Sequence, residues 1–132
     1  MATVQTVAGP LDTARLGFTL MHEHIFVLSE GVKEGFPRLW NHEEQVAQAI
    51  TKMRKAKAHG ISTIVDLTVL GIGRNVRVVR DIAREAGMQV IAATALYTYD
   101  EIPRYFDSRS VEHMADPEHG NQGRHPQVRR PV

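Results

Sequence analysis

His22 and His24 are the residues of this chain whose type and spacing could best do chemistry. They flank Glu23 at the end of an apolar run over residues 16–21, and residues two apart on a strand share a face, so both imidazoles can turn toward one ion. Neutral imidazole binds zinc, cobalt, nickel and iron, and a chain without cysteine has only nitrogen and carboxylate oxygen to offer such a metal. Phe18 and Leu20 have the same parity as the histidines, which predicts a strand whose inward face is apolar at its start and ligating at its end. Spacing alone leaves two readings open. The pair is either half of a metal site, which needs more protein ligands than two, or a pair of polar residues satisfied by hydrogen bonds and water.

The elements that must position this pair follow from the apolar periodicity. Residues 29–40 contain Gly31, Gly35 and Pro37 and are expected to lack regular structure. A helix is predicted from an N-cap at Asn41, with Glu44 three residues on as in a capping box and Glu43 in the first turn. Val46, Ile50 and Met53 form its apolar stripe; Lys52, Lys55 and Lys57 read as a solvated face, and Gly60 as the stop. Residues 61–69 form a second strand, β-branched and apolar on both parities, which favours a parallel sheet covered on both faces; Asp66 is the exception inside it. A second helix follows over about residues 75–86 with Val78, Val79, Ile82 and Ala86 on one face and Gly87 at its end, then a third strand over residues 89–95. The order β-α-β-α-β suits parallel strands joined by right-handed crossovers, in an open doubly wound sheet or a (β/α) barrel. Both architectures bind ligands at the carboxyl ends of their strands, where His22 and His24 lie. Gly71 and Gly73 do not make a dinucleotide loop, because Val76 occupies the third glycine position and the pair follows the second strand; a tight strand-to-helix turn accounts for them.

Composition sets bounds. The 132 residues are one domain's worth, 42% are hydrophobic, and the net charge of +1 comes from scattered basic residues, so neither nucleic acid nor an anionic membrane is expected as a partner. No stretch is long enough to span a membrane, and the N-terminus lacks the layout of a secretory signal. The lack of cysteine rules out a disulfide scaffold and fits a cytoplasmic location.

Four segments together carry a resemblance. Val7-Ala8-Gly9-Pro10, Leu16-Gly17-Phe18-Thr19-Leu20-Met21-His22-Glu23-His24, Thr63-Ile64-Val65-Asp66-Leu67-Thr68 with Gly71-Ile72-Gly73-Arg74, and Leu96-Tyr97-Thr98-Tyr99 resemble the phosphotriesterase family, and within it the phosphotriesterase-like lactonase branch. The match runs from about Val7 to Asp116. It implies the N-terminal β-α-β-α-β portion of an amidohydrolase-type (β/α)8 TIM barrel with two divalent metal ions per site, zinc first and cobalt, iron or manganese as alternatives. Carried over by position, His22 and His24 match the first-strand ligands of the more buried metal. In such enzymes a carboxylated lysine and a hydroxide bridge the ions, and the hydroxide attacks a phosphoryl or lactone carbonyl centre. Tyr97 matches a tyrosine beside the metals and the lactone ring, and Tyr99 would form a pocket wall; the same two aromatics could also simply roof the barrel. Ala95 stands where the family usually has glycine, and Asp66 is expected to hydrogen bond inside the barrel. Arg74 could lie at the surface or partner an acidic group, Trp40 is expected to pack or to make a subunit contact, and His42, His59 and the C-terminal histidines are assigned no catalytic part. The resemblance further implies a small-molecule ester or lactone as substrate and a homodimer for full-length relatives.

The pattern departs from the family after Asp116. Residues 1–116 read as a partial barrel holding strands one to three, whereas residues 117–132 read as an unmatched tail: 117–123 only raggedly echo a family turn, and 124–132, rich in proline and arginine, match nothing and are expected to be disordered. A deletion with a frameshift, or a truncated gene, is the expected origin, and the catalytic set is then incomplete. Two classes of function follow: the N-terminal part of a metal-dependent hydrolase, inactive as given, or a non-catalytic α/β module with weak, incidental metal binding. Free edges on the first and third strands would invite aggregation in either case.

Overall fold

Three parallel strands and two long helices form where the apolar periodicity places them, within residues 2–97, 108–110 and 113, which the computed structural model describes. In chain order the elements are β1 (Thr3–Thr6), β2 (Gly9–Asp12), β3 (Phe18–Glu23), α1 (Glu30–Gly35), α2 (His42–Ala58), β4 (Ile61–Asp66), α3 (Val76–Ala86) and β5 (Gln89–Ala92). Strands β3, β4 and β5 lie side by side in that order, and both pairings are parallel. Each crossover runs through a helix, as parallel neighbours require. The expected second and third strands prove long by a few residues at their carboxyl ends, and the chain beyond β4 and β5 stays associated through an isolated parallel bridge, Leu70 to Leu96.

The core lies between the sheet and the two helices. Ile64 and Val90, paired across β4 and β5, point at Ala49 and Met53 of α2 and at Val79, Ile82, Ala83 and Ala86 of α3. Ile82 and Val90 are each only 1% exposed, and burial of an aliphatic side chain of this size contributes about 1.5–3 kcal/mol. Val46 and Ile50 complete the α2 stripe at the margin of this cluster.

Helix ends follow the sequence closely. Asn41 caps α2 by accepting from the Glu44 N–H at 3.3 Å, although Glu44 closes no reciprocal box, because its carboxylate accepts from Gln48 at 3.1 Å instead. Asn75 caps α3 by accepting from the Val78 N–H at 3.2 Å, and Gly87, with φ of 65°, ends it in the left-handed conformation. Lys57 is exposed yet not idle: its ammonium donates to the Gly87 carbonyl at 2.7 Å, placing positive charge at the C-terminal end of the α3 dipole. Asn75→Ala is expected to lower stability by about 1 kcal/mol, read as a shift in the urea midpoint, because it strands the Val78 N–H in the first turn.

Two features were not expected. An antiparallel hairpin of β1 and β2 precedes the sheet, turning at Val7 and Ala8, and the Val7 N–H donates to the Val90 carbonyl at 2.9 Å, which ties the turn to β5. The segment predicted to lack structure holds α1 and a 3-10 turn over Pro37–Leu39. Its glycines make a poor helix, so tertiary packing supplies the order: Trp40 sets its ring edge-on to Phe26 at 5.2 Å, and Lys33 of α1 sits 5.3 Å from the Trp40 ring centre. Trp40 is thus half-buried packing, as its type suggested.

Candidate metal centre

The parallel sheet brings His22 and His24 to its carboxyl end, His22 as the penultimate residue of β3 and His24 one residue past it. Their ring centres are 5.5 Å apart with planes at 76°. An imidazole nitrogen bonds zinc at 2.0–2.1 Å, so two rings sharing a tetrahedral ion have centres about 5 Å apart, close to the observed spacing. Both rings are exposed and therefore open to an ion from solvent.

The parity expected along β3 does not hold throughout. Leu20 pairs with Ile64 but Glu23 pairs with Asp66, so three steps on β3 match two on β4 and one residue is extra. Paired residues of parallel strands share a face. Leu20 therefore points with Ile64 toward the helices, where it lines an open groove of about 190 Å³ with Ala49 and Met53, and His24 borders the same groove. Glu23 shares the helix side with Asp66, which turns its neighbour His22 to the opposite face.

Asp66 is likewise displaced from the expected barrel interior. It is 3% exposed and lines a small cavity on the helix side with Arg74, Val76, Val79 and Ala92. Its Oδ1 accepts from the Thr68 N–H at 2.9 Å, so the expected hydrogen-bonding role stands while its location differs. Arg74 lies at this cavity and not on the open surface. Thr68, given no role in the sequence reading, is 5% exposed and bonds in two directions: its hydroxyl donates to the Phe26 carbonyl at 3.1 Å and lies 3.1 Å from His24 Nδ1. The signal available was a hydroxyl two residues past Asp66, at the carboxyl end of the strand beside the histidines.

Tyr97 stands at the same end of the sheet. Its N–H donates to the Leu70 carbonyl at 2.9 Å and its side chain is 51% exposed. Two strand spacings, roughly 10 Å, separate the β5 end that carries it from β3. Ala95 stands in this segment with its carbonyl accepting from the Leu70 N–H. Tyr99 and residues 117–132 lie outside the described residues. His42 begins α2 and His59 caps its other end, both exposed. Among the described residues no group of three or more His, Cys, Asp or Glu side chains gathers to hold a metal, and no helix is long and apolar enough to cross a membrane.

Comparison with known proteins matches this arrangement to one family. The model of the phosphotriesterase family matches residues 2–121. The chain belongs to the phosphotriesterase family. The phosphotriesterase homology protein of Mycobacterium tuberculosis is 43% identical over 107 residues, which make up 80% of this chain and 33% of that protein. Aryldialkylphosphatase of Saccharolobus solfataricus is 38% identical over 106 residues, 80% of this chain and 34% of that protein. The solved structure of the phosphotriesterase from Mycobacterium tuberculosis superposes with a TM-score of 0.74 at 42% identity, covering 80% of this chain and 33% of that one. The chain thus spans about a third of the length of the phosphotriesterase-family relatives it matches, and its sheet is a three-stranded part of their TIM barrel.

Proposed function

We propose that this chain is the N-terminal portion, strands one to three, of a metal-dependent hydrolase of phosphotriesters or lactones, and that His22 and His24 are two of its metal ligands. The observation that carries the reading is the pair of exposed imidazoles with ring centres 5.5 Å apart at the carboxyl end of a parallel sheet, in a chain of the phosphotriesterase family. Zinc suits the nitrogen donors best, with cobalt, iron or manganese as alternatives. When bound, divalent ions supply Lewis acidity to a phosphoryl or carbonyl oxygen and lower the pKa of water. The residues of this chain contribute imidazole nitrogens, the Thr68 hydroxyl behind one of them, and Tyr97 and Tyr99 as walls against which a small ester or lactone would lie. Residues 1–116 are assigned to the partial barrel and residues 117–132, by their sequence, to a tail outside it.

With two imidazoles as the assigned ligands among the described residues, most of a coordination sphere would fall to water, and the 132-residue chain is proposed to have no turnover of its own. The same observation supports the second reading, a non-catalytic α/β module whose metal binding is incidental. Titration of the purified chain with cobalt(II) and zinc, followed by assays with a lactone and an aryl dialkyl phosphotriester, tests the proposal. One weakly held ion per chain without turnover is the expected result. Two tightly held ions with turnover would overturn the assignment of an incomplete site, and no measurable binding of either ion would overturn the ligand assignment.

A further inference from the structure

We infer that Thr68 is a positioning residue that holds His24 as its Nδ1–H tautomer and thereby presents Nε2 as the lone pair available to a metal. The inference rests on the ligand assignment just proposed for its functional meaning, but its structural part follows from counting protons. Thr68 Oγ1 lies 3.1 Å from the Phe26 carbonyl oxygen and 3.1 Å from His24 Nδ1. A carbonyl oxygen can only accept, so both contacts are hydrogen bonds at once only when the single hydroxyl proton of Thr68 goes to Phe26. Toward His24 the hydroxyl then has only lone pairs to offer, and Nδ1 must carry the proton. In a neutral imidazole this leaves Nε2 unprotonated, the state in which it can ligate.

The hydroxyl is itself well anchored. Thr68 is 5% exposed, and its N–H donates to Oδ1 of Asp66, which is 3% exposed. Just past β4, the Leu67 N–H donates to the Glu23 carbonyl at 3.0 Å and so stitches the two segments together beside His24. The Asp66, Thr68 and Phe26 contacts thus hold the acceptor in place before any ion arrives. Groups that orient a ligating histidine in this manner commonly change metal affinity by about 10- to 100-fold when removed. Among the described residues His22 has no such hydrogen-bonding partner on its ring, which meets His24 at 5.5 Å between centres.

The test begins with the wild-type, metal-free 132-residue chain in mildly alkaline solution. Long-range ¹H–¹⁵N correlation spectra report directly which nitrogen of His24 is protonated. The expected result is protonation at Nδ1; a predominant Nε2–H form would overturn the inference with no variant needed. Thr68→Val keeps the shape and removes the hydroxyl, and is expected to shift His24 toward Nε2–H and to weaken zinc or cobalt(II) binding by about 10- to 100-fold, with Thr68→Ser restoring both. An unchanged tautomer in Thr68→Val would overturn the inference. Protonation at Nδ1 in a chain whose His24 resonances ignore saturating zinc would support the positioning role of Thr68 and overturn the ligand assignment it serves.

Discussion

Cobalt(II) binding is expected to disappear when His22 and His24 are both replaced by alanine, with a loss of more than about 100-fold in affinity, beyond what removal of an orienting group costs. Each single variant should lose most of this affinity, because one exposed imidazole holds a divalent ion no better than a free side chain does. Both side chains are exposed, so folding stability should move by less than about 0.5 kcal/mol in urea titrations. His59→Ala is the matched control. His59 caps the end of α2 remote from His42, at a distance of roughly 25 Å along a 17-residue helix, and its loss should leave cobalt spectra unchanged. Retention of cobalt by the double variant, or its loss in His59→Ala, would place the ion elsewhere.

Gly73→Ala is expected to destabilise the chain by about 3 kcal/mol, a large share of the stability of a small domain. Two costs add. Gly73 has a φ of +98°, a conformation that a residue with a Cβ adopts only at a cost of about 1–3 kcal/mol. The added Cβ would also press on the carbonyl oxygen of Leu28, with the Leu28 nitrogen 3.2 Å away, and backbone cannot swing aside as a side chain can. Relief would pull Leu28 from the turn and break its N–H bond to the Ile72 carbonyl, loosening the segment that carries the Phe26 acceptor of Thr68. The histidine site should therefore weaken along with the fold. Gly35→Ala provides the contrast: a Cβ there meets nothing within 4 Å, Gly35 lies in α1, and the exchange should be neutral or stabilising by up to about 1 kcal/mol. Equal urea midpoints for Gly73→Ala and wild type would refute the argument.

Sequence by itself determined what depends on local chemistry. Asn41 and Asn75 cap helices because a short amide can accept a bond from an N–H three residues on, and Gly87 stops one because it adopts positive φ freely. The β-branched runs made parallel strands, the long crossovers set their order, and the two-residue spacing of His22 and His24 brought their rings together. The family, too, was legible in short motifs, and the match over residues 2–121 agrees with it. Tertiary structure decided whatever rests on partners distant in the chain. The glycine-rich segment around α1 has no helical preference of its own and takes its order from Phe26, Lys33 and Trp40. The register slip in β3 moved Leu20 to the helix side, and no pattern within one strand reveals how many residues its neighbour matches to it. Asp66 sits toward the helices and not in the barrel interior because its pairing register, not its own neighbours, sets its face. His24 and Thr68, 44 residues apart in sequence, meet only because β3 and β4 lie side by side, so the hydroxyl that partners the His24 ring is placed by the fold.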